Sequence, residues 1–235
     1  MSENPEQECT FIERPFLPAF CDAFILAKKA GDEDSNSSFA QSLSRSSILA
    51  SAFSIEAAAN GALRQLSTSR SFREDIDRLP WSSKFEFLLL ARNPNSTLDR
   101  GHSVFQKADE IFELRNRLAH GKTRHRSGKF RKNNSGTTNY EFNLDEEEFT
   151  NLMRIPKQSG EWKCEHALDA FRAVVDFLNY FFRDLCKFTV PEAQRFLVCE
   201  MKIGETYPQL IEQAHIHTIG QIKKDLDIEI GFLGF

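Results

Sequence analysis

An arginine, an asparagine and a histidine stand close together in the segment ELRNRLAHGK, at Arg115, Asn116 and His120. A histidine side chain titrates near neutral pH, so it can accept or donate a proton in a reaction under physiological conditions. An arginine guanidinium forms paired hydrogen bonds with phosphate oxygens and stabilises negative charge that develops on them. These residue types therefore suit proton transfer at an anionic centre such as a phosphate.

The helical pattern around this segment places Arg115 within an apolar face. On a wheel of about 100° per residue, the apolar residues between Val104 and Ala119 fall in an arc of roughly 180° centred on Ile111. Arg115 lies near the middle of that arc, and Asn116 and His120 share its flank. Since a lone buried charge is costly, the pattern predicts a partner of opposite charge for Arg115.

The preceding long helix carries a matching anomaly. Its apolar residues, Phe53 among them, form one arc, yet Glu56 lies inside that arc and Asn60 follows one turn later. We predict that Glu56 pairs with Arg115 across the bundle. The pair is either a structural salt bridge or the support, together with Asn60, of an arginine presented in a cleft or subunit interface. His120 is likewise either a favourable residue at a helix C-terminus or an acid–base group.

Periodicity predicts four or five helices that position these residues, over about 16–30, 41–66, 84–92, 98–120 and 161–187. Residues 121–143 lack helical periodicity and predict a hairpin with its turn near NNSG, whereas 145–153 predict a short helix. The segment DIEIGF at 227–232 alternates like a strand. The fold class expected is all-α, a helical bundle with an inserted basic β-hairpin or loop and a C-terminal extension.

Three regions follow from this pattern. Residues 1–15 are expected to be a flexible tail, 16–188 the helical bundle with its insert at about 121–160, and 189–235 an extension without an assigned role.

Composition narrows the class of protein. The 235 residues are 40% hydrophobic and include 22 Phe, enough for a packed core. No apolar run reaches the roughly 18 residues that a membrane span needs, and the polar N-terminus does not resemble a signal peptide. The five scattered cysteines form no CxxC pair, and Cys164 and His166 lack a second pair of metal ligands. We therefore expect a cytoplasmic protein with reduced thiols, no metal and no cofactor.

Positive charge is concentrated in the motif and directly after it. Eight of the 30 Lys and Arg lie between positions 115 and 132, where no Asp or Glu occurs, although the chain carries a net charge of −4. Such a segment suits the phosphate backbone of RNA, and its scarcity of aromatics makes base stacking a minor contribution. The alternative is a solvated hairpin balanced by the acidic residues of 141–148. The candidate RNA-binding residues are Lys122, Arg124, His125, Arg126, Lys129, Arg131 and Lys132.

The run from Arg115 to His120 resembles the R-N-x-x-x-H signature of the HEPN superfamily, small helical-bundle domains of which many are ribonucleases. SIEAAAN at 54–60 is similar to the polar element on an upstream apolar helix of that family, and KFEFLL at 84–89 to the helix before the motif helix. The resemblance spans residues 16–188. It implies a metal-independent endoribonuclease that acts in toxin–antitoxin, antiviral or RNA-processing systems.

The resemblance also implies a mechanism and partners. Two copies of the chain would join their motif helices and form a composite site from both Arg115 and both His120 side chains. The ribose 2′-OH would attack the adjacent phosphate, leaving a 2′,3′-cyclic phosphate and a 5′-OH. Asn116 would orient the ring or bind a phosphate oxygen. Besides RNA and a second copy, an antitoxin or other defence-system protein is an expected partner, with the basic segment as the place where an acidic antitoxin binds.

Two other functions stay open at this point. The first is a non-catalytic protein- or RNA-binding module in which Arg115 is structural. The second is a sensor of a nucleotide or phosphate ligand, which no glycine-rich phosphate loop in the sequence supports.

Overall fold

The computed structural model describes residues 9–66, 69–123, 128–132, 140–145 and 148–235. Over these residues the chain is mostly helical, and a β-hairpin follows the fifth helix, so the predicted all-α bundle with an inserted hairpin is confirmed. The described residues contain no helix long and apolar enough to cross a membrane. The α-helices in this part of the chain are α1 (Phe16–Asp32), α2 (Ser38–Leu63), α3 (Arg70–Asp77), α4 (Trp81–Arg92), α5 (Ser103–Ala119), α6 (Cys164–Asn179), α7 (Val190–Leu197) and α8 (Gln213–Leu226).

The core lies between α1, α2, α5 and α6 and is built largely from phenylalanine rings. Phe20 of α1 packs against Phe171 of α6 with ring centroids 4.9 Å apart. Trp81, the first residue of α4, stacks on Phe112 of α5 at 4.6 Å. Buried aromatic pairs of this kind add about 0.5–1.5 kcal/mol beyond the burial of their surface. Their packing fixes the rotation of α5 and hence the direction in which its polar residues point.

The long helix α2 is the central element, and it contacts α1, α4, α5, α6 and α7. Most of its buried residues are alanine or serine, which let neighbouring helices approach closely. Because α2 touches both α4 and α5, a polar side chain on its surface can reach both helices. Glu56 stands at such a position.

The helix predicted over 161–187 has two parts. It begins as α6 at Cys164 and changes at Tyr180–Leu185 to a π-helical turn, in which the Cys186 amide donates to the Phe181 carbonyl five residues earlier. The wider turn shifts the register of the helix by one residue. Phe181 and Phe182 are consecutive and yet both fully buried.

The sequence predicts a flexible tail over residues 1–15, but the described part of this segment contains a strand. Thr10–Ile12 form strand β1, which pairs antiparallel with β4 (Cys199–Lys202), and β4 pairs with β5 (Gln209–Leu210). The predicted hairpin is formed by β2 (Gly128–Lys132) and β3 (Tyr140–Leu144) in an antiparallel register. Its expected turn at NNSG lies outside the described residues.

The short helix predicted over 145–153 does not form in the part of that segment which the structure describes. The amide of Thr150 donates to the Ile155 carbonyl, and the amides of Leu152 and Met153 donate to the carboxylate of Glu110 on α5, at 2.7 and 3.0 Å. Because these amides find partners outside the segment, the helical hydrogen-bond pattern is lost.

The C-terminal extension is part of the bundle. Helix α7 begins with a capping box in which Thr189 and Glu192 bond each other's backbone, and α8 packs on α1. The segment DIEIGF forms no strand; Phe232 instead inserts its ring among those of Phe16, Phe20 and Phe182. Residues 189–235 therefore complete the core of the bundle.

Candidate functional site

Arg115 is held on α5 by polar and aromatic neighbours. Its Nη2 donates to Oε2 of Glu56 on α2 at 3.1 Å, and its Nη1 donates to Oδ1 of Asn116 at 2.8 Å. The guanidinium carbon lies 5.7 Å from the ring centre of Phe53 and 5.9 Å from that of Phe112. The pairing of Arg115 with Glu56 that the two helical wheels predicted is thus present.

Glu56 serves a second cation. Its Oε1 lies 3.8 Å from Nζ of Lys84 on α4, and the same ammonium donates to Oδ1 of Asn60 at 2.9 Å. Lys84 is only 1% exposed, whereas the side chains of Arg115 and Glu56 keep 26% and 32% of their surface in contact with solvent. The network therefore joins α2, α4 and α5, with one buried and one accessible cation.

Sequence reasoning did not single out Lys84, although it noted the segment KFEFLL that contains it. The available signal was its position four residues before Leu88 and next to Phe85, which are both buried in α4. Residues four apart lie on the same side of a helix, so Lys84 faces the core and needs a polar partner there. Glu56 and Asn60, one turn apart on α2, supply that partner.

Asn116 and His120 lie on an exposed side at the end of the motif helix. Both are exposed, and the His120 amide donates to the Asn116 carbonyl at 3.0 Å, which closes the last turn of α5. Among the described residues, the ring of His120 forms no hydrogen bond or ion pair. Arg115 and His120 are five positions apart, about 140° around and roughly 7.5 Å along an ideal helix. One chain thus does not bring their side chains together.

Phe53 departs from the prediction made for it. The sequence placed it in the buried arc of α2, but its side chain is 48% exposed beside Arg115. Helix α2 is surrounded by partners on most sides, and Phe53 occupies the side they leave open. An accessible aromatic ring thus adjoins the guanidinium.

The basic segment is described only in part. Lys122 and Lys129 are exposed, and Lys129 lies on β2 opposite Asn143 of β3. Arg124, His125 and Arg126 lie outside the described residues, as do the side chains of Arg131 and Lys132. The RNA-binding role predicted for these residues therefore stays a prediction.

Cys164 and His166 belong to the start of α6. Nδ1 of His166 accepts a hydrogen bond from the Lys163 amide at 3.1 Å, and Sγ of Cys164 lies 3.5 Å from a carboxylate oxygen of Glu165. Burial lowers the pKa of His166 and raises that of Cys164. Within the described ranges, no three His, Cys, Asp or Glu side chains are grouped to hold a metal ion.

Comparisons of this chain with protein-family models, with curated proteins and with solved structures found no match.

Proposed function

We propose that this chain is a metal-independent endoribonuclease of HEPN type, which cleaves RNA by attack of a 2′-OH on the adjacent phosphate. The observation that carries the proposal is the state of Arg115. Its guanidinium is fixed by Glu56 and Asn116 and still partly exposed, one and a half turns before an exposed histidine. A defence or toxin–antitoxin setting follows from the family resemblance alone.

The guanidinium retains donors for a phosphate. It has five N–H groups, and its two hydrogen bonds to described residues occupy one on Nη1 and one on Nη2. The remaining N–H groups suit two phosphate oxygens in a bidentate arrangement. A guanidinium oriented in advance would stabilise the extra negative charge of the pentacoordinate phosphorane, in which the 2′-oxygen has bonded and the 5′-oxygen has not yet left.

His120 would transfer the protons. The attacking 2′-OH must lose a proton and the departing 5′-oxygen must gain one, and imidazole serves either step near neutral pH. Because Arg115 and His120 diverge on one helix, we propose that two copies join through α5, so that the arginine of one copy acts with the histidine of the other. Lys122 and Lys129 would contact the RNA backbone near this site.

The test uses labelled single-stranded RNA in EDTA. The wild-type chain should leave 2′,3′-cyclic phosphate and 5′-OH ends, and Arg115→Ala and His120→Ala should each lower the rate by about 100-fold or more. Arg117→Ala is the matched control, because Arg117 lies on the same helix and pairs with Glu113 at its exposed surface. Full cleavage by both motif variants would contradict the proposal.

A mixing experiment addresses the composite site. Arg115→Ala and His120→Ala chains, each inactive alone, are mixed after dissociation and reassociation. A hybrid dimer keeps one intact arginine and one intact histidine on opposite chains, so cleavage should return. If activity stays absent although hybrid dimers are detected by native mass spectrometry, the two residues do not act across the dimer.

A second candidate function is a non-catalytic binding module, favoured by the way in which Arg115, Glu56 and Lys84 tie three helices together. In that case the wild-type chain binds RNA or protein but cleaves no RNA. Substitution of Arg115 would change stability and binding alone. Unfolding curves measured beside the cleavage assay separate the two functions.

A further inference from the structure

A cavity of about 870 Å³ lies away from the motif, between β1, the C-terminal end of α2, α7 and the β4–β5 hairpin. We call it the arginine cleft, because Arg14, Arg64 and Arg195 all line it. Arg64 follows Glu56 by eight residues, which is about 12 Å along a helix axis. The cleft is therefore separate from the site around Arg115.

The close approach of α2 and α7 brings two of these arginines together. A Cβ atom added to Gly61 would lie 2.2 Å from the carbonyl oxygen of Phe196, so only glycine allows this backbone contact. Arg64 follows Gly61 by three residues, and Arg195 directly precedes Phe196. Both arginines consequently stand beside the helix contact at the edge of the same cavity.

The charges in the cleft leave these two arginines unbalanced. Arg14 and Glu200 are each only 5% exposed and form an ion pair of 3.0 Å, in which Arg14 also donates to the Val198 carbonyl, so this pair is internally neutral. Arg64 and Arg195 are exposed and form no ion pair with a described residue. Glu13 is the remaining acid in the described lining, which leaves an excess of positive charge.

An aromatic ring completes the lining. Tyr207 is 51% exposed and follows a tight turn at 203–206, where Gly204 has a φ of +59° and Ile203 and Thr206 bond each other's backbone. Nζ of Lys202 lies 5.7 Å from the centre of the Tyr207 ring. The side-chain amides of Gln65 and Gln209 also line the cavity and offer both donors and acceptors.

We propose that the arginine cleft binds a nucleoside phosphate. Arg64 and Arg195 bind the phosphate, Tyr207 stacks on the base, and the glutamine amides bond the base edge or the sugar. The alternative, without a ligand, is that the two arginines only complement the negative C-terminal ends of α2 and α7. That alternative explains neither the cavity nor the accessible ring beside them. The volume lies within the usual range of about 300–1,000 Å³ for ligand pockets.

The experiment is titration calorimetry with 5′-AMP, adenosine and inorganic phosphate as separate probes. Saturable binding of AMP is expected, with both adenosine and phosphate weaker. Arg64→Ala and Arg195→Ala should each weaken AMP binding about tenfold or more. Tyr207→Ala should also weaken it, whereas Tyr207→Phe should retain it. Arg78→Ala is the control, since Arg78 caps α3 as Arg64 caps α2 and is exposed outside the cleft.

A second experiment distinguishes binding of a free nucleotide from binding of a nucleotide within RNA. An oligoadenylate is titrated into the His120→Ala chain in EDTA, and binding lost in the cleft variants assigns the site to a nucleotide within RNA. AMP binding alone assigns it to a free nucleotide.

The proposal is overturned if neither probe binds at millimolar concentration, or if the cleft variants bind as the control does. Equal affinity for phosphate and AMP would likewise refute the role of Tyr207. Far-UV circular dichroism confirms that each variant is folded, and Arg195→Lys, which keeps the charge, should lose less affinity than Arg195→Ala.

Discussion

Replacing Glu56 by alanine removes a carboxylate that two cations share, and it should destabilise the fold more than removing Arg115. Loss of one partner from a buried ion pair costs about 3–5 kcal/mol in general. Here the Glu56 side chain is 32% exposed, its distance to Lys84 Nζ is 3.8 Å, and Asn60 still accepts a hydrogen bond from that ammonium. We therefore expect a loss of roughly 2 kcal/mol in the free energy of unfolding, about half the general value.

Arg115→Ala should cost less. Both side chains of the Arg115–Glu56 pair are partly exposed, and such pairs contribute at most about 1 kcal/mol. Glu56 also keeps Lys84 as a partner after the change.

The assay is equilibrium unfolding in urea followed by far-UV circular dichroism, for wild type, Glu56→Ala, Arg115→Ala and Lys84→Met. The sharpest comparison is Glu56→Ala with and without Lys84→Met. Because methionine removes the stranded buried charge, the double variant should recover about 1 kcal/mol relative to Glu56→Ala alone. The reasoning is refuted if Glu56→Ala costs no more than Arg115→Ala, or if Lys84→Met gives no recovery.

Three further predictions test the fold. Gly61→Ala should lower the free energy of unfolding by about 1–3 kcal/mol, because its Cβ collides with the Phe196 backbone, and an unchanged melting temperature would contradict that contact. Burial lowers the pKa of His166 in the folded state, so the unfolded chain binds a proton at this residue at higher pH than the folded chain does. The free energy of unfolding should therefore fall as the pH drops below about 6.5. His166→Gln should flatten that pH dependence in urea unfolding, and an unaltered profile would exclude it. Burial also raises the pKa of Cys21 to about 12, so iodoacetamide at pH 8 should modify the exposed Cys9 before Cys21 in the native protein. Peptide mass spectrometry measures both modification rates, and equal rates would argue against the packing of α1.

Helical periodicity was sufficient to predict the bundle and the facing of Glu56 and Arg115. Both residues interrupt apolar arcs on long helices, where the repeat of 3.6 residues defines a face over several turns. Lys84 was missed because the apolar residues of α4 are spread around the helix, so the sequence marks its core-facing side poorly. Phe53 was misplaced because a wheel shows which residues share a side of α2, but not which side lacks a neighbour.

The remaining errors arise from contacts between distant parts of the chain. Strand β1 forms because Phe11 pairs with Met201, and no local sequence pattern predicts a partner about 190 positions away. In the segment at 145–153, the amides of Leu152 and Met153 donate to the carboxylate of Glu110 on α5, so they are not available for helical hydrogen bonds. In DIEIGF, Ile230 and Phe232 are buried, but Asn179 and Arg183 bond the backbone groups that a neighbouring strand would otherwise bond.

The central claim rests most directly on His120, because its two interpretations predict different outcomes. Its ring is exposed and forms no hydrogen bond or ion pair with a described residue, so His120→Ala should leave the unfolding curve nearly unchanged. The decisive measurement is the rate at which this variant cleaves RNA in EDTA, compared with Arg117→Ala. We predict a fall of about 100-fold or more for His120→Ala and little change for Arg117→Ala. Equal rates for the two variants would contradict the assignment of His120 as the proton-transfer group.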